Sequence, residues 1–287
     1  MEYASFSPLS VKRSTGRRSA LARWITDRRN PLTARVAVNH LWLRHFGRPL
    51  VESVFDFGRN GQHPSHPELL DWLAVELMEN HWSMKHIHRL IVNSHAWRMS
   101  SSAGTHQQNV ERDQDNRWLW KMRAGRMESE VIRDNLLALA GELDLSQGGQ
   151  PLPNTQAMTG NRRSLYYEIF PEAGGNDPLA EAFDPPDPTE CFRRTTTVLP
   201  QQALALSNSD LIHRVSGRIA ERFEERETPL WISEAFGTIL VREPTSAEQS
   251  LCETFLQREL EAGVDLQAAR KALIRVLLNH NDFVTIR

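Results

Sequence analysis

Apolar residues recur at helical spacing through most of this chain, in short segments punctuated by capping residues and prolines. That pattern limits the fold more than any other feature of the sequence. The stretch "SHPELLDWLAVELMENHW" shows it well: Leu69, Leu70, Leu73 and Leu77 share a face. Ser65 and Glu68 have the spacing of a capping box, with Pro67 tolerated in the first turn. Ser83 is the expected cap of the next helix, "MKHIHRLIVNSHAWRM". Upstream, "RSALARWITDRR" should end before Asn30-Pro31, and "PLTARVAVNHLWLRHFG" should stop at Gly47. Further helices are expected over about 127–143, 200–224, 229–241, 245–262 and 266–280. Thr245 and Glu248 form a second capping box at the start of the 245–262 helix.

The expected fold is therefore mainly α, an irregular multi-helix domain of about eight helices. "RRSLYYEIF" at 162–170 is the best strand, and "DFVTIR" at the C-terminus is a second short one that could pair with it. Residues 1–16 read as a flexible N-terminal segment, and 17–287 as one helical domain with 144–161 as its candidate seam. Residues 100–115 are polar and expected to be mobile. The loop 171–198 is expected to be ordered and to pack back over the helices, because its prolines stiffen it and its charges can pair.

Composition closes off several functions. With 40% hydrophobic and 24% charged residues the chain is globular in character, and no apolar run reaches the roughly 18 residues of a membrane span. The opening "MEYASFSPLSVKRSTGRR" lacks the apolar core of a signal peptide, so no export signal is expected in it. A net charge of -2 gives no global attraction to nucleic acid. The basic run from Lys12 to Arg35 reads as a solvated helix face, with no nucleic-acid recognition fold beside it. The two cysteines make neither a disulfide framework nor a zinc site, and no CxxCH is present to attach haem. Eight of the eleven histidines precede residue 96, but none has the spacing of a helical metal site, so interhelical hydrogen bonds are the expected role and no metal is expected.

The most concentrated chemistry lies in "EAFDPPDPTECFRRTTTVLPQQALALSNSD". Asp184 and Asp187 flank two prolines that hold the backbone extended. Those carboxylates could act as an acid/base pair or clamp Arg193 and Arg194. Cys191 would be a nucleophile if a base or cation lowered its pKa, and a packed thiol otherwise. Pro200 opens a helix on which Gln201 and Asn208 could share a face. The candidate catalytic residues are Asp184, Asp187, Cys191 and Arg194, and the candidate ligand contacts are Asn39, His66, Arg193, Gln201 and Asn208. For the loop itself a structural clamp is the first reading and a catalytic rim the second.

Several blocks, in this order, resemble the planctomycete-type domain of unknown function 1553. They are "NPLTARVAVNHLWLRHFGRPLVES", "DFGRNGQHPSHPELLDWLAVELMENHW", "NRWLWKM", "RMESEVIRDNLLALAGELD" and "AFDPPDPTECFRRTTTVLPQQALALSNSD". The resemblance runs from about Arg17 to the C-terminus. Its motif positions fall on Asn39, Trp42, His45, Gly47, His66, Arg133, Asp134, Asp184, Asp187, Cys191, Arg194, Thr197, Pro200, Gln201 and Asn208. The chain departs from the pattern at His40, where Arg is usual, and at His95-Ala96-Trp97, which replaces a smaller, Tyr-containing run. The resemblance implies an uncharacterised domain of exported bacterial proteins, placed in the periplasm or cell envelope. It implies a cytochrome-c-like domain upstream, so any haem is expected on a partner domain and no cofactor on this chain. Two functions follow as expectations. One is a ligand-handling or catalytic module of a cell-envelope redox or degradative system. The other is a non-catalytic module docking a cytochrome-like partner or a glycan.

Overall fold

The computed structural model describes residues 15–104, 106–169, 177–187, 194, 196–223 and 225–286. The expected flexible segment at 1–16 lies almost wholly outside them. The chain is mainly helical and divides into two compact units, the first ending at Ala124 and the second running from Gly125 to Ile286. The loop 144–161 falls inside the second unit.

The first unit holds α1 (Arg17–Ile25), α2 (Pro31–Phe46), α3 (Pro67–Glu79), α4 (Met84–Asn93) and the short α5 (Gln107–Arg112). Its core is built where α2 packs on α3 and α4, and it includes Val38, Trp42, Phe46, Leu70, Leu73, Leu77, Ile87 and Ile91. Asn30 starts α2, its side chain accepting from the Leu32 N–H (3.0 Å) with Pro31 at the first position. Gly47 ends it in the left-handed conformation, φ 68°. Ser83 caps α4 as expected.

The capping box at Ser65 does not form. Ser65 instead donates both its N–H (2.8 Å) and its hydroxyl (3.2 Å) to the Leu50 carbonyl, which ties down the preceding loop. His66 becomes the N-cap without a side-chain bond. The polar 100–115 stretch is also more structured than expected, since it contains α5.

The second unit opens with β1 (Gly125–Arg126) and α6 (Ser129–Leu139), followed by 3-10 turns at Asn154–Gln156 and Ser164–Tyr166. Then come α7 (Pro178–Ala182), α8 (Pro200–Asn208), α9 (Asp210–Glu221), α10 (Thr228–Ile239), α11 (Ser246–Glu261), α12 (Leu266–Leu278) and β2 (Thr285–Ile286). Its core gathers around α9 and α12 and includes Trp231, Leu211, Ile212, Val215, Ile219 and Ile274. The expected helix at 200–224 is two helices. Ser209 is extended (ψ 145°) and caps α9 by accepting from the Ile212 N–H, and this local capping chemistry interrupts the run.

The terminal strand exists, but it pairs antiparallel with Gly125–Arg126 and not with 162–170. The described residues of that stretch, 162–169, are not a strand either. Single bridges at Arg162 and Tyr167 flank the 3-10 turn. The cause is tertiary: Asp134, thirty residues away in sequence, captures the Ser164 N–H (2.7 Å) and hydroxyl (2.8 Å), and side chains take backbone groups that a ladder would need.

Candidate functional site

Two clefts lie in the second unit, and both are lined by residues at the start of α6. Three successive residues there are Glu128, Ser129 and Glu130, and carboxylates in a first helical turn are favoured by the unpaired N–H groups. One turn further along is Arg133, 2% exposed. Its guanidinium donates to the carbonyls of Ala157 (2.6 and 3.0 Å), Gly160 (2.7 Å) and Arg162 (2.8 Å). It also donates to the hydroxyls of Ser164 and Tyr167 (3.3 Å each). The Tyr167 ring lies against it, 4.7 Å from the guanidinium carbon. This single side chain closes the 154–167 loop. Gly160 is required for the closure, because a Cβ there would stand 2.3 Å from the Tyr167 hydroxyl.

The larger cleft, about 60 Å³, is lined by Ser129, Glu130, Arg133, Ser164, Tyr167, Glu168, Asp177 and neighbours. The Asp177 carboxylate also caps α7, accepting from the N–H groups of Leu179 and Ala180. Leu179 and Phe183 bury themselves in the core of this unit, so the described part of the 171–198 loop is anchored at α7.

The smaller cleft, about 20 Å³, is lined by Arg126, Met127, Glu128, Phe183, Asp184, Arg194, Thr196 and Gln202. Asp184 sits in the left-handed region, φ 54°, where Asp is among the better-tolerated residues. Its carboxylate accepts from the Thr197 N–H (2.7 Å) and hydroxyl (2.9 Å). Thr197 in turn accepts at its carbonyl from Gln202 Nε2 (3.1 Å). Arg194 reaches across to α6, where its Nη2 donates to both oxygens of Glu130 and its Nε lies 3.4 Å from Glu128. Burial works against the charge of Arg194, but the hydrogen bonds of Glu130 and the charges of Glu130 and Glu128 outweigh it and raise its pKa. Two atoms remain over. Arg194 Nη1 and Gln202 Oε1 are both buried without a hydrogen-bond partner among the described residues.

Of the residues singled out in the sequence, Asp184 and Arg194 thus come together at one cleft. Asp187 is exposed. Gln201 and Asn208 are exposed on α8, and the neighbouring Gln202, 3% exposed, is the amide that turns inward. Asn39 and His66 belong to the first unit. Asn39 is fully buried and pins the backbone of Val51 from both sides (2.9 and 3.1 Å). His66 contacts Ser65 and Trp118. Cys191 and Arg193 lie outside the described residues. Cys252 is a buried thiol in the second core, its pKa raised first by burial. The clustered histidines include interhelical pairs, His45 with His88 (2.7 Å) and His86 with Glu76 (2.8 Å). Among the described residues no group of three or more His, Cys, Asp or Glu could hold a metal ion.

Glu130, Glu128 and Gln202 were not among the candidates. Gln202 had a readable signal, because it lies one turn before Leu206 and therefore on the same buried face of α8. Glu128 and Glu130 had none, because their partner Arg194 is far away in sequence, sixty-four residues from Glu130.

A mainly helical chain with a carboxylate-lined arginine at a small polar cleft defines a class only loosely, but the sequence defines its family. The chain belongs to the family described as PSD1, Protein of unknown function (DUF1553), whose profile matches residues 17–256. No curated protein and no solved structure matches the chain.

Proposed function

We propose that the chain is a ligand-handling module of a bacterial cell-envelope redox or degradative system, with its ligand contacts at the Arg194–Gln202 cleft. The envelope setting rests on the resemblance to exported proteins set out above. The cleft carries the reading by one observation: a charged donor, Arg194 Nη1, and a neutral acceptor, Gln202 Oε1, are buried and unpartnered in the same small space. The orientation of the amide is fixed, since only its NH2 can donate to the Thr197 carbonyl. Leaving such atoms unmet costs about 1–3 kcal/mol each.

The complementary group accepts from a guanidinium and donates to an amide oxygen, as a hydroxyl or a carboxamide does. A space of about 20 Å³ admits one such group. Glu128 and Asp184 in the lining oppose an anion. The neighbouring larger cleft, with Ser129, Ser164 and Tyr167 in its wall, offers hydroxyls to the remainder of a polar ligand.

Saturation-transfer NMR with acetamide and with a methyl glycoside tests this. Transfer to at least one probe is expected with the native chain, and about tenfold weaker binding or less with Gln202→Leu, which removes the acceptor. Absence of transfer to either probe from the native chain overturns the reading.

A further inference from the structure

The first unit holds a different feature, an indole displayed on a rigid loop. Trp118 is 67% exposed, whereas its sequence neighbours Leu119 and Met122 pack against the core. The loop that holds it is built by side chains. The Asp113 carboxylate accepts from the N–H groups of Arg117 and Trp118 (2.8 Å each), and the Asp113 carbonyl accepts from the Trp120 indole (2.9 Å). Asn116 brackets Lys121, donating to its carbonyl (2.8 Å) and accepting from its N–H (3.3 Å). Asn116 and Leu119 both take left-handed backbone conformations, φ 53° and 54°, and a leucine there is strained. The outward indole is thus fixed by the surrounding bonds, and little conformational freedom remains to be lost when something stacks on it.

Its surroundings are polar. The His66 ring stands edge-on to the indole, centroids 5.2 Å apart and planes at 81°. The hydroxyl of Ser65 has one proton, and it is directed to the Leu50 carbonyl (3.2 Å). Ser65 Oγ therefore accepts from His66 Nδ1–H (2.9 Å), and a neutral imidazole so held keeps a bare Nε2 acceptor. Burial, and then the charge of Arg117, hold the His66 pKa below its ordinary value, which keeps the ring neutral at neutral pH. Arg117, the residue before Trp118 in the chain, is exposed, and its charge acts on His66.

We propose that Trp118, His66 and Arg117 form a carbohydrate-binding site for a neutral polysaccharide. The apolar C–H face of a pyranose stacks on the indole. Its rim hydroxyls donate to His66 Nε2 and accept from the Arg117 guanidinium. A protein partner would call for a contiguous apolar surface around the ring, whereas here the ring against the indole is an imidazole. This site is independent of the Arg194–Gln202 cleft and stands or falls without it.

Native gel electrophoresis of the full chain through gels containing β-glucan, xylan or galactomannan is the test. Retardation by at least one polymer is expected. It should be abolished in Trp118→Ala, whose near-ultraviolet circular dichroism should otherwise keep the features of the buried tryptophans, and retained in part in Trp118→Tyr. A blue shift of native tryptophan fluorescence on adding the matching oligosaccharide provides a reading that needs no variant. No retardation in any gel, or equal retardation of native chain and Trp118→Ala, overturns the proposal.

Discussion

Arg133 and Arg194 are both arginines held at the start of α6, and they end in opposite states. Arg133, on the helix itself, engages its whole fork with neutral acceptors, three backbone carbonyls and two hydroxyls, with the Asp134 carboxylate further off at 3.7 Å. Arg194 comes from the distal loop and faces charge, the carboxylates of Glu130 and Glu128, yet one of its nitrogens stays unmet. A fully engaged guanidinium organises the chain around it and has nothing left to offer a ligand. One that is held by carboxylates on one side and bare on the other is both a clamp and a binding group. The difference in hydrogen-bond inventory separates a structural arginine, 2% exposed, from a functional candidate whose side chain is 16% exposed.

The comparison breaks first at Arg133. Arg133→Met should destabilise the chain by about 3–5 kcal/mol, because the carbonyls of Ala157, Gly160 and Arg162 lose their donor inside the protein. Arg133→Lys should do nearly as badly, since a point charge cannot reach that many separated acceptors. Denaturant unfolding followed by circular dichroism measures both. A loss under about 1 kcal/mol for Arg133→Met would mean that the 154–167 loop closes without it, and the distinction drawn here would collapse.

Arg194 should behave differently. A double-mutant cycle with Glu130→Gln and Arg194→Met should return a coupling of about 1–2 kcal/mol, less than the Arg133 effect, because both side chains keep some contact with water. Coupling near zero would show a screened surface pair and remove the clamp. Coupling as large as the Arg133 loss would make Arg194 a second structural hub and weaken its case as a ligand contact.

How much of this was legible in the sequence follows from the range of the interactions. Helix positions came from periodicity and caps, which act within four residues: Asn30, Gly47, Ser83 and the Thr245–Glu248 box all do what local chemistry dictates. The misreadings arose where a distant group overrode the local signal. Ser65 turned to Leu50 instead of its own helix, and Tyr166-Tyr167 lost their strand to Asp134 and Arg133. Of the site, Asp184 and Arg194 were visible as an unusual cluster, but their partners were not. Asp184 pairs with Thr197 and Arg194 with α6, while Arg193, the other arginine expected to pair in the loop, lies outside the described residues. Such pairings are set by tertiary placement, which no local spacing encodes.

A third arginine extends the comparison to the surface. Arg242 donates to both oxygens of Glu248 (2.7 and 2.9 Å) and to Asp282 (2.9 Å), and about a third of its side chain is exposed. Glu248 is also the reciprocal half of the capping box of α11, accepting from the Thr245 N–H (2.8 Å). The hydrogen bonds from Arg242, joined by that N–H, hold the Glu248 carboxyl down at about 2, against an ordinary value of 4.5. A carboxylate whose pKa is depressed by folding contributes stability that is complete above its unfolded value. That contribution is lost as pH falls from about 4.5 towards 2. Glu248→Gln should therefore cost only about 1 kcal/mol at neutral pH, the smallest of the three effects, since it loses a solvent-screened pair and part of a cap. Its sharper signature is in acid. The native chain should lose stability more steeply than the variant between pH 4.5 and 2, so the two curves converge as Glu248 takes up its proton. Parallel curves across that window would mean that the carboxylate is not held by folding. The effect of Arg242 would then be packing alone, and the ranking by hydrogen-bond inventory would stop at the protein interior.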